Sequence, residues 1–107
     1  MQRLAVEELH VWLEDAERAS PGILDVRESW ETALCSFPDA VPLPLSQGIG
    51  ALAQLPRDRD WVVVCHHGMR SYQVAMVMER SGFPRVYNLE GGIDAWARSV
   101  DPSMARY

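Results

Sequence analysis

The chain is poor in cysteine: it has two, Cys35 and Cys65, thirty positions apart. With no Cys-x-x-Cys pair, a thioredoxin-type redox motif is excluded. In a reducing compartment both residues are expected as free thiols. Long apolar runs are also missing, and nothing approaches the ~20 residues of a transmembrane helix. Glu7 and Glu8 stand where a secretory signal needs its apolar segment, so the cytoplasm is the expected location. Basic charge is not in excess. A net charge of −5 argues against a nucleic-acid partner, which usually requires a basic face. There is no internal repeat, linker or low-complexity segment. What remains is 48% hydrophobic and 23% charged, the composition of an ordinary domain with a real core. The 107 residues are read as one domain, with a core over about 5–100 and an irregular tail over 101–107.

Short apolar strands alternate with helices along this chain. Val6, Leu9, Leu13 and Ala16, with Trp12 beside them, predict an amphipathic helix over 6–18, closed by Ser20-Pro21-Gly22. Gly22 to Arg27 reads as a strand ending in charge. A helical turn follows, with Trp30, Ala33 and Leu34 on one face and Glu28 and Glu31 on another. Cys35, among apolar neighbours, reads as a small buried residue or as a resolving thiol for Cys65. Pro42 and Pro44 confine the extended run 40–45 to a strand end or a sheet edge. Ile49, Leu52 and Leu55 suggest a short helix. A helix over 71–81 is stopped by Gly82, Phe83 and Pro84. Residues 85–89 form another strand, and Gly91-Gly92 turns into a last helix carrying Ile93, Ala95 and Trp96. This alternation predicts an α/β fold: a three-layer α/β/α arrangement of about five short, mostly parallel strands flanked by helices.

The most informative stretch is Trp61-Val62-Val63-Val64-Cys65-His66-His67-Gly68-Met69-Arg70-Ser71. It reads as a buried strand, a cysteine at its carboxyl end, a tight loop, and a helix. A loop entering a helix N-terminus can aim several backbone N–H groups at one anion, and the helix dipole adds positive potential. A cysteine held there is favoured as its thiolate, the nucleophilic form. Arg70 adds a permanent positive charge. The stretch therefore proposes a reactive thiol facing an anionic substrate. Sites in such sheets gather at strand carboxyl ends, where Cys65 and the Asp25-Val26-Arg27 corner both lie.

These motifs, in this order, resemble the single-domain rhodaneses, or sulfurtransferases. Asp25-Val26-Arg27-Glu28 is similar to the family's early element, and Val62 to Ser71 to its active-site strand and loop. Gly82-Phe83, Val86-Tyr87-Asn88-Leu89 and Gly91 to Trp96 are similar to its closing motif. One stretch departs. Where many members carry His-Ile-Pro-Gly-Ala, this chain reads Phe37-Pro38-Asp39-Ala40-Val41.

The resemblance implies transfer of a sulfane sulfur through a Cys65 persulfide. The small-molecule partners are an anionic donor such as thiosulfate and a thiophilic acceptor, cyanide or a thiol. No metal or organic cofactor is required. Cys65 is the nucleophile, and the amides from His66 to Ser71 hold the donor. Arg70 closes the cradle or forms a surface salt bridge. Gly68 permits the turn. Ser71 belongs to the cradle or caps the helix. His66 and His67 contact the donor or present only their backbone. Met69 contributes its amide. Asp25 and Arg27 brace the loop from behind or form a purely structural ion pair.

Two other readings remain: a sulfur carrier or redox relay, or an interaction module, supplied with persulfide by a protein partner. A related phosphatase class has a loop one residue longer than the six counted here from Cys65 through Arg70, which makes phosphate chemistry the poorer fit.

Overall fold

The fold is built around Trp61–Val64 (β4), whose four side chains are all buried. Period-two alternation sends them to opposite faces of a sheet. Trp61 and Val63, followed by Cys65, pack with Val74, Ala75, Met78 and Phe83. Val62 and Val64 pack with Leu9, Trp12, Ile93 and Trp96. A strand buried on both faces reads as a continuous apolar run, as β4 does.

The structure, a computed structural model, describes residues 1–107. The other strands are Gln2–Leu4 (β1), Gly22–Asp25 (β2), Val41–Pro42 (β3) and Val86–Leu89 (β5). The helices are Val6–Glu14 (α1), Ser29–Thr32 (α2), Met69–Arg80 (α3) and Gly92–Ser99 (α4). The five strands form one parallel sheet in the order β1-β5-β4-β2-β3. α3 covers one face, and α1 and α4 cover the other. No helix is long and apolar enough to cross a membrane.

The topology positions the site. β2 and β4 are neighbours, but β2 connects to β3 on one side and β4 to β5 on the other. The strand order therefore reverses between them, and the crevice outside their carboxyl ends is the usual ligand position of such sheets. Cys65 and the Asp25–Arg27 corner flank that crevice.

Several local expectations shift. α1 ends at Glu14 rather than near Arg18: Asp15 is extended and its carboxylate accepts the Glu17 N–H at 2.9 Å, a local turn that competes with the helix. Its buried stripe is Val6, Leu9 and Trp12, leaving Leu13 exposed. In α2 the faces are reversed. Trp30 is 64% exposed, Leu34 is also exposed, and Glu31 is only 3% exposed. Cys35 is half-buried rather than fully enclosed. Residues 45–47 and 50–54 are 3₁₀ turns, too glycine-rich for a longer helix. α3 begins at Met69, two residues early, and ends as expected, with Gly82 left-handed at φ 97° and the Phe83 N–H bonded to the Met78 carbonyl. β3 is an edge strand, as its prolines require. In the departing stretch, Asp39 adopts φ 60°, a left-handed conformation that aspartate tolerates better than most residues. β1 had no sequence signal; it is three residues long and pairs with β5 through its backbone.

The loop after β4 is held by α4. The Ile93 N–H donates to the Cys65 carbonyl at 2.9 Å and the Asp94 N–H to the His66 carbonyl at 3.1 Å. Such close approach needs glycine at position 92, where φ is 61° and a Cβ would strike both carbonyl oxygens. Gly92→Ala is therefore expected to lower unfolding stability in urea by at least about 2 kcal/mol. A loss within experimental error would show that the loop is not held in this way.

Candidate active site

Cys65 lies where β4 ends, 1% exposed. Its Sγ accepts the Gly68 N–H at 3.1 Å and lies 3.3 Å from the Ser71 hydroxyl. Gly68 takes φ 99° immediately before α3, the tight turn expected of it. In a trans peptide the C=O and N–H point in opposite directions. With the Cys65 and His66 carbonyls turned to α4, the N–H groups of His66 and His67 are turned away from it, and neither meets a backbone acceptor. The loop thus presents the Gly68 N–H to the sulfur, beside the N-terminus of a twelve-residue helix.

Ser71 does not cap α3. The N-cap is Gly68, without a side-chain cap, and Ser71 sits inside the helix, fully buried. Its hydroxyl reaches Sγ and donates to Asn88 Oδ1 at 2.5 Å. Helical geometry explains the difference, because the third helical residue points back over the loop that precedes it. Met69 is 77% exposed, its side chain largely in solvent.

Arg70 is not a free cation. Its Nη1 and Nη2 donate to Glu31 Oε2 at 2.7 Å and Oε1 at 2.8 Å. Glu31 also accepts the Glu28 N–H at 2.9 Å and the Tyr107 hydroxyl at 2.7 Å. The Arg70 guanidinium, with those two further donors, holds the Glu31 carboxyl down at about 2 against the opposing effect of burial. Burial and the neighbouring Glu31 push the Tyr107 phenol up to about 12, so it stays a donor at neutral pH.

Asp25 and Arg27 are both buried and joined at 2.7 Å. Arg27 also donates to the Cys35 carbonyl at 2.7 Å, the Glu31 carbonyl at 3.3 Å and the Tyr107 hydroxyl at 3.2 Å. The pair reaches the site through Glu31 and Tyr107, which places it behind the Arg70 contact.

The two histidines differ. The His66 ring is sandwiched, with Tyr107 at 3.8 Å on one side and His67 at 3.9 Å on the other. Its Nε2 is buried without a partner, and burial, helped by His67, lowers its pKa. The His67 side chain is mostly exposed, 4.0 Å from Asp94. His66, His67 and Asp94 are the cluster with metal-ligand chemistry. Its geometry is poor for one ion. Stacked imidazoles project their lone pairs side by side, and the Asp94 oxygens are bonded to Arg98 at 3.1 Å and Arg106 at 3.2 Å.

A family model described as the rhodanese-like domain matches residues 5–99. The chain belongs to this family. A sulfurtransferase of Allochromatium vinosum is 41% identical over 83 residues, covering 78% of each chain. The thiosulfate sulfurtransferase GlpE of Actinobacillus pleuropneumoniae is 30% identical over 91 residues, 85% of this chain and 84% of its own. The crystal structure of a rhodanese-like domain protein from Staphylococcus aureus superposes with a TM-score of 0.82 at 29% identity, covering 100% of this chain and 99% of the other. The three-layer α/β/α architecture is thus the rhodanese-like fold.

Sequence reasoning missed Glu31, Asn88 and Tyr107. The one available signal was Asn88, a lone amide in an otherwise apolar strand.

The depressed Glu31 carboxyl has a consequence for stability. A folded-state value below the unfolded one, 4.5 falling to about 2, gives stability that is complete above pH ~5 and is lost as pH falls toward 2. Glu31→Gln should flatten that slope, reducing the pH 5-to-2 loss in urea-unfolding free energy by about 2–3 kcal/mol. Parallel wild-type and variant curves over this range would show that the carboxylate is not held as described.

Proposed function

We propose that the protein is a sulfurtransferase that carries a sulfane sulfur on Cys65. The observation that carries this reading is a cysteine sulfur at a strand's carboxyl end that accepts a loop N–H, Gly68 to Sγ at 3.1 Å, beside a helix N-terminus. The Cys65 thiolate attacks the outer sulfur of thiosulfate. The S–S bond of the donor breaks, and sulfite leaves with the electron pair. Cys65 then holds a persulfide. A thiol or cyanide attacks its outer sulfur, and Cys65 leaves as the thiolate, ready for another cycle. The two half-reactions give ping-pong kinetics.

The amides of His66, His67 and Gly68 are the groups we assign to the anionic donor, following the logic of preorganised N–H groups that bind developing charge. Arg70, neutralised by Glu31, serves mainly to hold the loop and α2 together. Asp25 and Arg27 fix Glu31 and Tyr107 from behind. The six residues from Cys65 through Arg70 support sulfur over phosphate as the atom bound. The GlpE relative, named as a thiosulfate enzyme, supports thiosulfate as the first donor to test. A protein persulfide donor would use the same nucleophile.

Intact-mass spectrometry tests the reading. Thiosulfate should add one sulfur atom to the protein, cyanide should remove it, and Cys65→Ser should show no adduct. Sulfur loading or thiosulfate turnover that persists in Cys65→Ser would overturn the assignment. A protein persulfide that loads Cys65 where thiosulfate does not would change the donor while keeping the nucleophile.

A further inference from the structure

Asn88 ends up beside the reactive loop although it belongs to β5, and it is 1% exposed. Its Nδ2 donates to the Gly68 carbonyl at 3.1 Å and to Glu90 Oε2 at 2.8 Å. Turning the amide over would set its oxygen against a carbonyl and a carboxylate, both acceptors, so these neighbours fix its orientation. Oδ1 therefore faces Ser71 and accepts its hydroxyl at 2.5 Å. A serine hydroxyl has one proton. With that proton on Asn88, Ser71 offers only lone pairs to Cys65 Sγ, 3.3 Å away. A Cys65 thiol can donate to those lone pairs; a thiolate meets them unfavourably.

We propose that Asn88 is a positioning residue for Cys65: by holding the Ser71 proton it makes Ser71 an acceptor of the Cys65 S–H and so works against the thiolate. This opposes the Gly68 N–H, which favours the thiolate. The resting site is then a balance between one donor and one acceptor on the same sulfur. The inference rests on Cys65 being the reactive thiol of the proposed transfer.

Other charged and titratable groups lie on the elements packed about the loop. Arg70 of α3 is bonded to Glu31 of α2, which shares its charge. His66 and His67 lie in the loop, Asp94 in α4, Glu90 beyond β5, Tyr107 in the tail, and the Asp25–Arg27 pair after β2. Ser71→Ala changes the charge of none of them.

The test titrates Cys65 by thiolate ultraviolet absorbance, as the difference between each protein and the same protein carrying Cys65→Ser. Ser71→Ala removes the acceptor of the S–H and is expected to lower the midpoint by about one pH unit, the scale of one neutral hydrogen bond. Asn88→Ala frees the hydroxyl to turn toward the sulfur and should also lower it, with most of that shift lost when Ser71→Ala is added. If Asn88→Ala does not fold, Asn88→Leu, closer in shape, takes its place in the same cycle. A midpoint that rises or stays unchanged in Ser71→Ala overturns the proposal, as does an Asn88 shift that persists in full without the Ser71 hydroxyl. No sulfur donor takes part, so a failure of sulfur loading leaves this titration readable.

Discussion

Two hydrogen bonds at the start of α4 organise the site. The Ile93 and Asp94 amides take the carbonyls of Cys65 and His66. These amides belong to the first turn of a helix, where N–H groups lack an intrahelical partner. The helix satisfies its own open donors with the loop, and the loop is pinned where its remaining N–H groups turn away from α4. The same two bonds explain Gly91-Gly92. Both residues are left-handed, at φ 78° and 61°, and the second leaves no room for a Cβ beneath the loop carbonyls. The final helix thus positions the loop from the far side of the sequence.

The donor bonded to the sulfur is a backbone N–H, that of Gly68, rather than a side-chain cation. Arg70 supplies the nearest cation, but it is spent in a bidentate pair with a buried carboxylate. Such a pair is close to neutral at a distance, and burying it costs desolvation that roughly offsets its attraction, so its role is placement more than stability. It ties α3 to α2. The Tyr107 hydroxyl adds the tail, and Arg27 adds the corner after β2. Three other segments converge on Glu31, and removing its charge would leave the Arg70 guanidinium without its counter-charge. On the proposed reading, the loop amides and the N-terminus of α3 are then the groups left to meet the anionic donor.

The core and the loop that carries Cys65 were legible in the sequence because their signals are local. Four apolar residues, a cysteine and a glycine within eight positions specify a strand, a sulfur and a turn. Gly82 and Phe83 close α3 through contacts within five residues. The missed residues act across distance. Glu31 pairs with a residue thirty-nine positions away and Tyr107 reaches back seventy-six. α2 has only four residues, too few for periodicity to reveal which face is buried, and its glutamate, exposed by type, is enclosed because it has partners. The tail is irregular, as its composition suggested, yet Tyr107 is held by stacking and hydrogen bonds that no pattern of spacing announces. Ser71 was open between two roles because a serine near a helix start fits both. Which role holds depends on whether the helix begins before or after it, and Gly68 starts it earlier.

The histidines set a limit on what chemistry the site can perform. A general base must lie within hydrogen-bond reach of the proton it takes. His66 is fixed between Tyr107 and His67 with its Nε2 buried and unpaired, and burial disfavours its protonation. His67 lies mostly in solvent, facing Asp94. Neither is bonded to Cys65; Gly68 and Ser71 are the groups that meet its sulfur. Hydrolysis or proton abstraction would call on a side-chain base aimed at the substrate. Sulfane transfer asks less, because the leaving group departs as an anion and the sulfur passes from one nucleophile to another. On the proposed reading, a loop N–H, one hydroxyl and a thiol are the groups that meet that demand. Its control then falls on the few groups that decide how much negative charge the Cys65 sulfur carries.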